Sequence, residues 1–463
     1  MSPQLFCIAA GGILYFLSAR VRALRAKAAS PPPRSIEVTG VFIYPVKSMR
    51  GHSVTKAHLD GCGFVNDRRW LVVDDAFPHS PLTKPFMTQR NAPALATVVP
   101  FVLTKAGMAG ALALGPQAPT AALLEACAAA QAGEGFPIPT QPCEAAALLL
   151  VLEEAPSDAK EREDPQSPTA QAAPWVVVPL ARPAPSGGPK LCKVQVWRST
   201  VEACADQGDA AAAWLSAALK QPVRLVYQDP AHAAAARAVQ SSYLGAPMHL
   251  NPSAWEAWGA NRGGLLALAS SALAHRVLAP LWRFATGGQT PTTSFADGFP
   301  LLLASENSLK DLQARIVSRQ QQQQQQQQLP TMKNFRPNLV VSYDPTAPPW
   351  LEDTWAALST PGAAFAGVKR CSRCAVTTTD QATGARAPSS ATGEPTEDPF
   401  EREPLATLAT YRESEVGGAR EGGVYFGMNL MIVEGGGGTA QAGWVSVGDQ
   451  VQVSSVDAFI GPL

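Results

Sequence analysis

Alternation of apolar and polar residues is clearest in Ile36–Tyr44 (IEVTGVFIY), which predicts a strand ended by Pro45. Trp70–Val73, closed by Asp74-Asp75, predicts a second strand, and Lys193–Trp197, Pro222–Tyr227 and Asn338–Tyr343 predict three more. Helical spacing is rarer. Asp209–Ala218 predicts a helix whose acidic start suits the helix dipole. Ser305–Ile316 offers Ser305 as an N-cap and puts Leu309, Leu312 and Ile316 on one face. The segment 443–449, followed by Val451 and Val453, predicts a turn between barrel strands. Many short strands and few helices predict a β-dominated α+β fold.

Between these elements the chain changes character. Leu5–Leu17 is apolar except for Gly11 and Gly12, and Arg20, Arg22, Arg25 and Lys27 follow it before Pro31-Pro32-Pro33. That run is shorter than the roughly 20 residues of an ordinary membrane-spanning helix. Basic residues on its C-terminal side predict a short N-terminal anchor with the following domain in the cytosol. Residues 154–171 and 386–402 are rich in Pro, Ser and charge, and read as solvated loops. Gln320–Gln328 is an uninterrupted glutamine run, read as a floppy surface expansion.

Composition narrows the function classes. The 37 Lys+Arg balance 37 Asp+Glu, which argues against a nucleic-acid-binding protein held by phosphate contacts. Eight scattered cysteines suit a reducing compartment better than a disulfide framework. The exception to the scatter is Lys369-Arg370-Cys371-Ser372-Arg373-Cys374. This pair suits half a zinc site, a redox pair, two structural cysteines beside a strand, or a thiolate ligand to a soft metal carried by an organic cofactor. The zinc reading lacks a second ligand pair, and the redox reading lacks a following helix, because Ala375–Asp380 (AVTTTD) reads as strand.

Four further clusters suit an anionic, phosphate-bearing ligand: Tyr44-Pro45-Val46-Lys47-Ser48, Asn66-Asp67-Arg68-Arg69-Trp70, Asn334-Phe335-Arg336-Pro337-Asn338 and Ser294-Phe295-Ala296-Asp297-Gly298. Each alone is an ordinary turn or ion pair. Gly435–Gly438 is a plain glycine run and a poor phosphate cradle.

Taken in order along the chain, these motifs resemble the MOSC domain family. The Tyr44–Ser48 and Asp67–Trp70 clusters, Thr88-Gln89-Arg90 with Pro93, and Cys192–Trp197 look like its N-terminal β-barrel domain. Phe295–Asp297, Ser305-Glu306, Phe335–Asn338, Cys371–Cys374, Glu403–Leu405 and Val447–Asp449 look like the MOSC domain itself. The likeness is greatest to the membrane-anchored, amidoxime-reducing molybdenum enzymes of that family.

The resemblance implies a β-barrel-like domain over 36–205, packed on a MOSC β-barrel with peripheral helices over 206–463, after an anchor and linker over 1–35. It also implies a molybdopterin-type molybdenum cofactor with Cys374 as the protein's metal ligand and Cys371 as its companion. Lys47, Ser48, Arg68, Arg336 and Asn338 match positions that hold the cofactor's phosphate and pterin. Ser372 and Arg373 flank the ligand, and Asp297 matches a carboxylate beside the metal that either relays protons or positions substrate. The implied activity is reduction of amidoximes, hydroxylamines and N-oxides with electrons from a b-type cytochrome and its NADH-dependent flavin reductase. The implied location is the mitochondrial outer membrane, facing the cytosol. The doubled Arg68-Arg69 leaves open which arginine faces the ligand. One rival is a sulfurase-like or carrier module. MOSC domains also end molybdenum cofactor sulfurases, which carry a pyridoxal-phosphate domain upstream, and only about 35 residues precede the barrel in this chain.

Overall fold

The computed structural model describes residues 31–75, 84–115, 118–129, 139–153, 173–183, 188–197, 199–230, 237–238, 292–323, 328–412, 423–433 and 443–456. The apolar run Leu5–Leu17, the loop 154–171, the stretch 255–289 and the glycines 435–438 lie outside these residues. Among the described residues no helix is long and apolar enough to cross a membrane.

The largest sheet has eight strands, in the order His52–Val54, Ile36–Ile43, Leu339–Tyr343, Leu301–Ser305, Val424–Ile432, Ala363–Arg373, Trp355–Thr360 and Gln452–Val456. Its core takes Ile36 and Val38, then Val41 and Ile43, with a register shift between Val38 and Gly40 keeping both pairs in one cluster with Leu303, Leu339, Val341, Trp355 and Met428, all buried. Leu301–Ser305 and Leu339–Tyr343 pair in parallel, so the chain needs a crossover between them. The helix Glu306–Gln323 supplies it. Ser305 Oγ accepts from the Asn307 N–H at 3.1 Å, and Leu312 and Ile316 are fully buried, as the spacing predicts. The first four glutamines of the run continue this helix rather than leaving it as loose coil, because glutamine is a good helix former.

A second sheet runs Trp70–Asp74, Val223–Gln228, Ser199–Asp206, Leu191–Val196 and Lys84–Pro85. The helix Asp209–Leu219 packs Ala211, Leu215 and Leu219 against it. Val98–Leu103, Ala147–Leu152 and Trp175–Pro179 form a three-stranded meander beside it. The fold is thus β-dominated with peripheral helices.

Two pairings join strands from either side of residue 205: Ser199–Asp206 with Val223–Gln228, and Ile36–Ile43 with Leu339–Tyr343. The run after Cys374 differs from expectation: Ala375–Thr378 is a 3-10 turn, not a strand. The Thr377 and Thr378 hydroxyls donate to the Cys374 and Ala375 carbonyls at 2.9 and 2.8 Å. Such local back-bonding offers β-branched threonine an alternative to the ladder. The segment 386–402 is a loop, as expected, although Ser389, Ser390 and Arg402 are buried within the fold.

Candidate cofactor site

Two turns meet at the end of the first strand. The Tyr44 N–H donates to Asp67 Oδ1 at 2.8 Å, the Arg68 N–H to the Tyr44 carbonyl at 2.7 Å, and the Lys47 N–H to the Trp70 carbonyl at 2.9 Å. This zipper leaves Ser48, Asn66 and Arg68 with left-handed backbones, at φ of 68°, 65° and 50°. Arg336, in the third turn, joins them at 56°. Non-glycine residues other than Asn adopt that region at a cost, and here the surrounding hydrogen bonds hold four residues in it.

Tyr44 is the hub. The Arg68 and Arg336 guanidiniums lie 4.6 and 4.5 Å from its ring centroid, and its hydroxyl donates to the Pro337 carbonyl at 3.1 Å. Burial pushes the Tyr44 phenol up to about 12, against the pull of both arginines. Arg68 Nη1 donates to Asp67 Oδ2 at 2.5 Å and to Asn338 Oδ1 at 2.9 Å, and its Nη2 to the Arg336 carbonyl at 3.2 Å. Arg69 turns away to Asp60, with Nη2 to Oδ2 at 2.5 Å. Arg68 is therefore the arginine of the pair that joins the cluster. Arg336 Nη1, like Arg69 Nη1, is buried with no hydrogen-bond partner among the described residues, and burial lowers the Arg336 guanidinium to about 10. A buried unpaired polar or charged group costs roughly several kcal/mol, and an anion placed here would offset that cost.

The cysteine side is tied to the same turn. Arg373, the last residue of Ala363–Arg373, donates from Nη2 to the Phe335 carbonyl at 2.7 Å. Asn334 Nδ2 donates to the Thr377 and Thr379 carbonyls, both at 3.2 Å. The 3-10 turn that begins after Cys374 is thereby held against the Asn334–Arg336 turn. Cys374 is exposed, and Cys371 is partly buried with Arg373 Nη1 at 3.0 Å from its sulfur. Ser372 is exposed and contributes a ladder position opposite Tyr425.

The fourth cluster closes the ring of sites. Lys47 Nζ, almost fully buried, lies 2.5 Å from Asp297 Oδ1, whose side chain is 75% exposed. Burial lowers Lys47, opposed by Asp297. The surrounding protein pushes the Asp297 carboxyl up, but Lys47 and the Trp197 indole N–H, donating at 2.9 Å, outweigh it and hold it well below the usual carboxylate range. Arg237 clamps this loop through the carbonyls of Ser294, Ala296 and Asp297. The Phe295 N–H donates to the Arg68 carbonyl at 2.9 Å.

Lys47, Arg68, Arg336, Asn338, Arg373 and Asp297 are thus linked through one network, with Ser48 and Cys374 on turns that border it. Sequence reading passed over Tyr44 as the stacking hub, Asp67 as the carboxylate that sets Arg68, and Asn334, Trp197 and Arg237. The first two stood inside a motif already singled out, and Asn334 and Trp197 stood at the ends of theirs. Arg237 stood in none. Among the described residues no three His, Cys, Asp or Glu side chains gather to hold a metal ion between them.

Residues 290–452 match the MOSC domain family, and residues 35–120 match the MOSC N-terminal beta barrel domain family. The chain is 34% identical over 165 residues to a molybdenum cofactor sulfurase of Oryza sativa subsp. japonica, covering 35% of this chain and 17% of that protein. It is 31% identical over 122 residues to mitochondrial amidoxime-reducing component 1 of Homo sapiens, covering 26% of this chain and 28% of that one. These matches span about a sixth of the sulfurase and about a quarter of the amidoxime-reducing component. The family matches identify a MOSC N-terminal beta barrel domain over residues 35–120 and a MOSC domain over residues 290–452.

Proposed function

We propose that this chain is a molybdenum-cofactor-dependent oxidoreductase that reduces N-hydroxylated substrates. The observation that carries the reading is Arg336: a buried guanidinium with an unpartnered Nη1, stacked on Tyr44 opposite Arg68 and tied through Asn334 to the Cys374 turn. Two arginines against one nearby carboxylate fit the phosphate and polar pterin of an anionic cofactor. An exposed thiol at a strand end fits a ligand to its soft metal. In this reading Cys374 holds the metal, and Lys47, Ser48, Arg68, Arg336 and Asn338 hold the organic part. Arg373 fixes the turn through Phe335, and Ser372 flanks the ligand. When bound, such a cofactor supplies two-electron chemistry that the side chains alone lack.

The reaction balances as cleavage of the N–O bond by two electrons and two protons, giving the reduced nitrogen compound and water. Electrons come from a b-type cytochrome and its NADH-dependent flavin reductase. Asp297 stays ionised beside Lys47, so it accepts hydrogen bonds from substrate and positions it rather than delivering a proton. Residues 1–35 anchor the chain to a membrane, the mitochondrial outer membrane by analogy with the amidoxime-reducing relatives, with both domains toward the cytosol.

The match to a cofactor sulfurase supports one second reading, a module that receives or carries cofactor without turnover. Purified full-length protein separates the two. The reductase contains molybdenum and pterin in near equal amounts and reduces benzamidoxime with a chemical electron donor. Full loading with no turnover on any N-oxygenated substrate selects the carrier instead.

A further inference from the structure

The hairpin of Leu191–Val196 and Ser199–Asp206 carries Trp197 at its turn, with a left-handed backbone at φ 56°. Trp70 and Trp355 are fully buried, yet Trp197 is 44% exposed. Its exposure is not looseness. The Arg90 guanidinium lies 4.5 Å over the indole, the Phe86 ring meets it edge-on at 5.4 Å, and Gln195 Nε2 donates to its carbonyl at 2.9 Å. Its own N–H reaches Asp297. An aromatic plate held rigid from several sides and left open to solvent is a surface for stacking a flat ligand.

Asp297 is arranged in a complementary way. Both of its protein hydrogen bonds, from Lys47 Nζ and Trp197 Nε1, fall on Oδ1. Oδ2 receives no donor among the described residues, and the side chain is mostly exposed. An ionised carboxylate only accepts hydrogen bonds. The rim therefore offers a stacking face and one free acceptor next to the candidate cofactor site.

We infer that Trp197 and Asp297 form the substrate-recognition rim, and that it selects flat N-hydroxylated compounds carrying an N–H or O–H donor beside the N–O bond over N-oxides, which carry none. The inference rests on the reductase reading above and narrows its substrate class. An amidoxime brings both an O–H and an NH₂ donor to Asp297, whereas an N-oxide brings only another acceptor. A hydrogen bond to a charged group distinguishes such ligands by about 10- to 100-fold.

The test uses purified holoprotein, reduced methyl viologen as electron donor, and two aromatic substrates, benzamidoxime and pyridine N-oxide. The wild type is expected to favour benzamidoxime in kcat/KM by at least about 10-fold. Asp297→Asn should lower kcat/KM for benzamidoxime at least about 10-fold more than for pyridine N-oxide, each normalised to molybdenum content. Trp197→Ala should raise KM for both aromatic substrates with molybdenum content unchanged, and Trp197→Phe should restore most of that loss. Equal losses on both substrates in Asp297→Asn, or no recovery in Trp197→Phe, overturn the rim. A wild type that reduces neither substrate overturns the reductase reading itself. Reduction of both substrates with no preference overturns only the rim.

Discussion

Arg336 and Arg224 both sit well inside contact distance of other charged groups, in opposite company. Arg224 lies among Asp75, Asp206 and Asp209, with Nε to Asp206 Oδ2 at 2.7 Å and Nη2 to Asp209 Oδ1 at 2.8 Å. Three carboxylates surround one guanidinium, and their hydrogen bonds raise it above its ordinary value. Arg336 shares its surroundings with Arg68 and Tyr44, makes no such bond, and is lowered by burial. A cation whose charge is matched inside the fold ties strands together and asks for nothing further. One that is buried and unmatched is costly to the fold, and an anion from outside the chain would offset that cost. In the proposed reading, the contrast separates an arginine that holds the fold from one that holds a ligand.

The sharpest way to break that contrast is at the thiol beside the unmatched cluster. Cys374→Ala should lower benzamidoxime reduction by more than about 100-fold and deplete molybdenum, while Cys371→Ala should cost less than about 10-fold. Equal losses would remove Cys374 from the metal. Next, the two arginines should fail differently. Arg224→Ala should cost about 1–3 kcal/mol in urea unfolding and leave the cofactor content of the folded protein intact. Arg336→Ala should leave the cofactor-free protein at least as stable as wild type and empty it of pterin. The same stability loss in both would erase the distinction between matched and unmatched cations.

A third region sharpens it from the acidic side. Glu352 is fully buried, accepting from Ser308 Oγ at 2.5 Å and from the Tyr343 hydroxyl at 3.3 Å. Burial, then the neighbouring Asp353, pushes its carboxyl up to about 7. The native state therefore binds this proton more tightly than the unfolded chain does. Its contribution is fully present below about pH 4.5 and is lost as pH rises through 7. Glu352→Gln should flatten that slope and stabilise the protein at pH 8 by roughly 1–3 kcal/mol, read by unfolding at pH 5 and pH 8. A slope unchanged by the substitution would place the titration elsewhere. The smallest effect is expected at Ser305→Ala, where losing the bond to the Asn307 N–H should cost about 1 kcal/mol and leave cofactor content untouched.

Local pattern carried much of the architecture because it is a short-range property. The alternation of Ile36–Ile43, the buried stripe of Leu312 and Ile316 and the acidic start of Asp209–Leu219 are each decided within a few residues. The pattern misled where side chains compete with the backbone over equally short distances. Thr377 and Thr378 look like strand residues and instead bond back to make a 3-10 turn. Gln320–Gln323 look like the start of loose coil and instead extend a helix. In the candidate site, the motif clusters were readable and the partners inside them were not. Nothing in Asn66–Trp70 says that Arg68 turns toward Tyr44 while Arg69 turns toward Asp60. That choice accompanies the left-handed backbone at Arg68, where the two turns meet.

The sequence by itself determined the β-dominated class, the helix over the parallel crossover, and the set of cation-bearing turns that resemble a MOSC site, because each depends on neighbouring residues. Only the tertiary structure decided which charges are matched. Lys47 meets Asp297 250 positions away, and Arg68 meets Asn338 270 positions away. Pairings at such distances are set by how sheets register, not by local propensity, and they leave Arg336 Nη1 without a hydrogen-bond partner among the described residues and Trp197 open beside Asp297.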